Sequence, residues 1–195
     1  MQQVLGYSPL KTGVAYLAVA GTSIFWAAVA SQLVTKIGVK PVLVSGMTLL
    51  TVGLLWFTQV SAGGSYVVDL LPGFLIVGIG MPFAYVSISI AALAGIEAKD
   101  AGLASGLINT SQQIGGALGI AILSSVAVSH TETAARSGDA VPDALVTGFH
   151  AAFWVGVVVS AIGVVASAVL IRREELAAAT AEAGEPEAEA LPIAA

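Results

Sequence analysis

Charge is absent from five long stretches of this chain, and that spacing constrains the fold more than any other feature. The uncharged gaps run over residues 12–35, 41–68, 70–96, 101–131 and 144–171. A helix that crosses a bilayer needs about 20 apolar residues at about 1.5 Å rise each. Every gap meets that length. Spans are expected near 13–34, 41–60, 67–94, 102–128 and 147–171. Hydrocarbon offers no partner for a free N–H or C=O, so each span must satisfy its backbone internally, as a helix does. A β-barrel would instead show short segments of alternating hydrophobicity.

Composition points the same way. Hydrophobic residues make up 57% of the chain and charged residues 10%, with a mean hydropathy of +0.94. Soluble domains carry about 25% charged residues. A surface so poor in charge is suited to lipid. The reading is an all-α polytopic membrane protein. The net charge of −5 is concentrated after Ile171, where six glutamates outweigh Arg172 and Arg173. Residues 172–195 read as an acidic, solvated cytoplasmic tail, too poor in large apolar residues to fold alone. No basic stripe is present for nucleic acid. The absence of cysteine excludes disulfides and thiolate metal sites.

Lysine and arginine set the expected orientation. One set of connections holds Lys36, Lys40, Lys99, Arg172 and Arg173, and the other only Lys11 and Arg136. The richer set belongs in the cytoplasm. The N-terminus then lies outside and the C-terminus inside a plasma membrane. Residues 1–12 read as an extracellular loop remnant following an earlier helix, as in a truncated gene, a late start or a fragment. Trp56, Tyr66, Phe149, Phe153 and Trp154 fall near the outer ends, as an interfacial belt would. The segment Ser129–Asp143 is expected to be the longest loop.

The fourth span carries the most polar chemistry. Gly102, Gly106, Asn109, Gln113 and Gly116 recur at helical spacing and share one face. Gly115 and Gly119 form a GxxxG pair, which with Gly102 and Gly106 suits close helix packing. Asn109, Gln112 and Gln113 are costly to expose to lipid. They line a substrate pathway or bond to a neighbouring helix, and the sequence leaves both readings open. In the third span Gly80 and Pro82 read as a packing or hinge point, because proline removes one helical hydrogen bond. Tyr85 follows by one turn and could reach a ligand. Trp26, in the middle of the first span, could stack on an aromatic substrate or pack in the core. Asp69 is placed at the interface, where water can reach it, and is not read as a proton carrier. His130 and His150 lack partners at metal-ligand spacing. Nothing resembles a nucleophile with its base, so no enzyme activity, metal or cofactor is expected.

Several stretches resemble the major facilitator superfamily. SQLVTKIGVKPVLVSG from Ser31 is similar to the second copy of its cytoplasmic loop motif, G-x-x-x-D-R-x-G-R-R/K. Lys36, Gly38 and Lys40 match, while Ser31, Thr35 and Val39 replace the glycine, the aspartate and an arginine. QQVLGYSPLKTG from Gln2, LLPGFLIVGIGMPFAY from Leu70 and AGLASGLINTSQQIGGALGIAI from Ala101 resemble the fourteen-helix drug:proton antiporter branch. The resemblance implies that the five spans are helices ten to fourteen, most of a C-terminal bundle. It implies export of small amphipathic compounds against protons by alternating access, with the family's usual proton-coupling acids in the helices not present. A missing N-terminal half is then the expected partner, besides lipid, and the chain alone is expected to be inactive. The alternative is a non-transporting assembly or regulatory subunit.

Overall fold

The computed structural model describes residues 1–97 and 99–171, so the acidic tail expected at 172–195 lies outside the described residues. Among them the regular structure is helical: a short α1 (Gln2–Leu5), then α2 (Pro9–Ile37), α3 (Val39–Phe57), α4 (Leu71–Leu93), α5 (Ala101–Arg136) and α6 (Val141–Leu170). A π-helical turn at Tyr66–Leu70 leads directly into α4. Five helical segments are long and apolar enough to cross a membrane, namely α2, α3, Tyr66–Leu93, α5 and α6.

Several ends fall outside the expected spans, each for a local reason. Helix α2 begins at Pro9, so residues 9–12 are helical and not loop. The Ser8 hydroxyl accepts a hydrogen bond from the Lys11 amide at 3.2 Å, and Pro9 occupies the first turn, where its missing N–H does no harm. Helix α3 stops at Phe57, short of residue 60. Helix α6 starts at Val141, ahead of the expected 147, with Pro142 and Asp143 in its first turn. The loop expected over Ser129–Asp143 is mostly helix. Helix α5 continues to Arg136, with Glu132 and Arg136 paired one turn apart at 2.9 Å, and the chain turns over residues 137–140. At 36 residues α5 is about 54 Å long, well beyond a hydrocarbon core of about 30 Å. Hydropathy marks where the membrane stops, and this helix does not stop there.

The turn between α2 and α3 is a single residue. Gly38 has φ of 89°, and its N–H donates to the Val34 carbonyl at 2.9 Å. A side chain is strained in that region of backbone space, which accounts for glycine here.

Helix α4 is the centre of the bundle. It packs along α3 on one side and α2 on the other, while α6 packs on α3 and on α5. Helix α5 meets α4 only slightly and forms an edge. Close approach of α3 and α4 depends on glycines seven residues apart on each. A Cβ at Gly46 would lie 2.6 Å from the Ala84 nitrogen, and one at Gly80 would lie 2.9 Å from the Leu50 nitrogen. A Cβ at Gly53 would lie 2.5 Å from Val77 Cγ2, and one at Gly73 2.5 Å from Phe57 Cε1. In lipid, such packing replaces the hydrophobic effect as the force between helices.

Candidate functional site

Pro82 sits inside α4, fully surrounded. It cannot donate to the carbonyl of Gly78, one turn earlier. Ser23 of α2 supplies the missing donor: its hydroxyl donates to the Gly78 carbonyl at 3.0 Å. The helices are close enough because a Cβ at Gly78 would come within 2.9 Å of Thr22 Cβ. Gly80 and Pro82 are therefore brought together at the junction of α2, α3 and α4.

Trp26 joins that junction. Its ring meets Phe83 edge-on at 5.9 Å and packs against the buried cluster of Ala30, Val34, Val42 and Phe83. The core-packing reading accounts for its position. Tyr85 is turned away and is 60% exposed. Lys36 and Lys40 flank the Gly38 turn, Lys36 exposed and Lys40 half-buried.

The polar residues of α5 are not gathered into an interior. Gln112 is half-buried, on the line that includes Ala104, Ile108 and Leu123 and faces the rest of the chain. Asn109 and Gln113 are exposed, as are Gly102 and Gly106. A Cβ at Gly102, Gly106, Gly115, Gly116 or Gly119 would meet nothing within 4 Å. None of these glycines has a packing neighbour among the described residues. Further round the same helix, Leu103 is 78% and Leu107 66% exposed, with Ile114 and Leu118 also open. Helix α5 thus presents two exposed faces of opposite chemistry, one small and polar and one large and apolar.

At the end of the bundle that carries the loop after α3, aromatic residues from several helices pack on one another. Phe57 meets Phe74 edge-on at 5.4 Å and lies tilted against Phe153 at 5.3 Å, and Tyr16 lies 5.3 Å from Phe74. The Tyr66 hydroxyl donates to the Ala15 carbonyl at 2.7 Å, and Trp56 Nε1 donates to the Asp69 carbonyl at 2.9 Å. These bonds tie the π-helical turn to α2 and α3. Tyr16, Phe57, Phe74, Phe149 and Phe153, with Met1, Val4 and Leu5 at the start of the chain, wall a cavity of about 300 Å³. Asp69, expected at a wet interface, is half-buried and lines it. His150 Nε2 donates to the Val60 carbonyl at 2.6 Å, closing the loop after α3, whereas His130 is exposed on α5. Among the described residues no group of three metal-binding side chains is present. The ion pairs found are Lys99 with Glu97 and Arg136 with Glu132, both exposed, and neither lies in the bundle interior.

The family model of the Major Facilitator Superfamily matches residues 1–120. The chain belongs to this superfamily. Its similar relatives include the puromycin resistance protein pur8 of Streptomyces alboniger, 29% identical over 76% of this chain and 30% of that protein. The cephamycin export protein CmcT of Amycolatopsis lactamdurans is 30% identical, covering 72% of this chain and 30% of the relative. The tetracenomycin C resistance and export protein of Streptomyces glaucescens is 32% identical over 73% of this chain and 25% of its own length. The chain thus spans less than a third of each of these relatives. This major facilitator chain is a multi-pass protein whose environment is lipid.

The residue pattern marked Gly80 but not Gly46 and Gly53 opposite α4, and it did not mark the Ser23–Gly78 bond. The seven-residue spacing of Gly46 with Gly53 and of Gly73 with Gly80 was the available signal.

Proposed function

We propose that this chain forms the C-terminal part of a proton-coupled exporter of small amphipathic compounds, of the fourteen-helix drug:proton branch, working by alternating access. The observation that carries the reading is the small, polar face of α5. Asn109 and Gln113 are exposed, and a Cβ at Gly102 or Gly106 would meet nothing within 4 Å among the described residues, next to an open apolar face. Lipid suits Leu103 and Leu107, but amides exposed to hydrocarbon are unfavourable. The polar face is suited to a second helical bundle or a watery substrate path between the two bundles. The relatives, named for antibiotic resistance and export, support a substrate of that kind. Nothing favours the assembly-subunit reading.

The orientation proposed is N-terminus outside and C-terminus in the cytoplasm, in the plasma membrane. Its support is that Lys36 and Lys40, at the helix ends flanking Gly38, and Lys99, between α4 and α5, lie at connections of the same parity, while Lys11 and Arg136 lie at helix ends of the other parity. Residues 1–8 and 172–195 are then an outer segment and a cytoplasmic tail. Among the described residues the one acid that lies in the membrane-length segment Tyr66–Leu93, Asp69, sits in its first turn, and the coupling groups are assigned to the partner bundle.

The test is transport in inverted membrane vesicles, with puromycin as the first compound. The 195-residue chain alone is expected to show no proton-driven accumulation. Co-expression with the N-terminal nine helices of a relative is expected to restore it. Transport by the chain alone would contradict the proposal.

A further inference from the structure

Residues 1–5 close one side of the aromatic cavity with a single helical turn, α1. Met1, Val4 and Leu5 share one side of that turn, and all three are half-buried and line the cavity. Gln2 and Gln3, on the other side, are exposed. The turn packs on α6, whose Val146, Phe149 and Phe153 line the same space. One turn of helix is too short to hold its shape alone in water, so its form depends on the surface it rests on. About 300 Å³ beside it is left unfilled, and the contacts that would hold it firmly are missing on that side.

The chain changes character at Gly6. This residue is exposed, has φ of 64°, and a Cβ there would meet nothing within 4 Å. Backbone conformation, not packing, accounts for the glycine. Beyond it the chain is tied to α2. Lys11 Nζ lies over the Tyr7 ring at 3.7 Å, the Ser8 hydroxyl accepts from the Lys11 amide, and the Thr12 hydroxyl donates to the Ser8 carbonyl at 3.1 Å. Before it, the Leu5 N–H donates to the Met1 carbonyl at 2.9 Å. The bond that crosses the glycine, from the Tyr7 N–H to the same carbonyl, is long at 3.5 Å. We propose that residues 1–5 are a lid on this cavity, pivoting at Gly6 and opening while the five long helices stay in place. In the structure the lid is down. The wall at Val146, 9% exposed, is reached from outside the bundle when it lifts. The lid is independent of the transport reading, since its motion needs neither a substrate nor a second bundle.

The test is the rate at which N-ethylmaleimide labels Val146→Cys in the full chain in nanodiscs, the native sequence having no cysteine to interfere. Labelling is expected to be slow. Val4→Gln with Leu5→Gln, which removes the apolar side of the turn, should speed it by about tenfold. Gly6→Ala, strained at that φ, should speed it by about fivefold. Gln2→Ala with Gln3→Ala should leave the rate unchanged. Ser87→Cys, at a fully buried position of α4 beyond Pro82, should label slowly in every background. An unchanged rate at Val146→Cys in either lid variant, or an equal gain in the Gln2 and Gln3 control, would overturn the proposal. A parallel gain at Ser87→Cys in the Val4 and Leu5 variant marks a loosened bundle, and Gly6→Ala then decides. A parallel gain in both would overturn the lid.

Discussion

Helices α4 and α5 are both rich in glycine, and the structure treats them in opposite ways. In α4 the glycines lie in van der Waals contact with α2 and α3, and a Cβ at Gly73, Gly78 or Gly80 would meet another residue's atoms at under 3 Å. In α5 the glycines meet nothing. The difference is one of position in the bundle, since α4 has a helix on each side and α5 has α6 along part of its length. Small residues permit close approach but do not supply a partner. In α4 the partner is present in this chain. In α5 we place it in the second bundle.

The contrast should break first at a pair of matched substitutions. Gly80→Leu forces a side chain into the Leu50 and Gly46 backbone, and overpacking of that kind costs about 3 kcal/mol. Gly106→Leu in the same chain should stay within about 0.5 kcal/mol of the native stability. Reversible unfolding in mixed micelles measures both, and equal losses would erase the distinction. A smaller effect sharpens the account of α4. Ser23→Ala orphans the Gly78 carbonyl and should cost about 1 kcal/mol. In a Pro82→Ala background the new N–H at position 82 can reach that carbonyl, so the same change should cost measurably less. A double-mutant cycle reads the coupling, and additive losses would show that Ser23 is not answering the proline. Trp56→Phe, which removes the donor to Asp69, should cost about 0.5 kcal/mol. The smallest effect belongs to α5. Asn109→Leu with Gln113→Leu should leave the stability of the isolated chain within about 0.5 kcal/mol. In a transport-competent assembly the same pair should reduce export about tenfold, as expected for lost interhelical hydrogen bonds or a lost polar path.

Much of the architecture was legible in the charge spacing alone. Each uncharged gap contains a membrane-length helix, because desolvation of charge and backbone satisfaction act on any sequence in lipid. The helix ends were less legible. Ser8 and Pro9 were a readable start signal that hydropathy passes over, and Thr131 to Arg136 continue α5 in polar surroundings where hydropathy has nothing to report. Glycine roles were the least legible. The GxxxG of Gly115 and Gly119 is a stronger local pattern than Gly46 with Gly53, yet the second pair meets a neighbour here and the first does not. A pattern on one helix cannot say which other helix lies opposite. Trp26 and Phe153 show the same limit, since mid-span and belt positions are both compatible with packing against a ring from another helix, and that is where they are found.

Carbene footprinting in a bilayer, with a diazirine reagent dissolved in the lipid and peptide-level mass spectrometry, reads the difference between α4 and α5 in the unaltered chain. Per residue, the stretch from Leu103 to Leu118 should take up several-fold more label than Gly78 to Ser87, and labelling should fall around Gly106 and Gln113 when an N-terminal bundle is supplied. Equal labelling of the two stretches, or no protection of α5 in an assembly that transports, would contradict the placement of α4 at the centre and of the polar face of α5 at a contact with the second bundle.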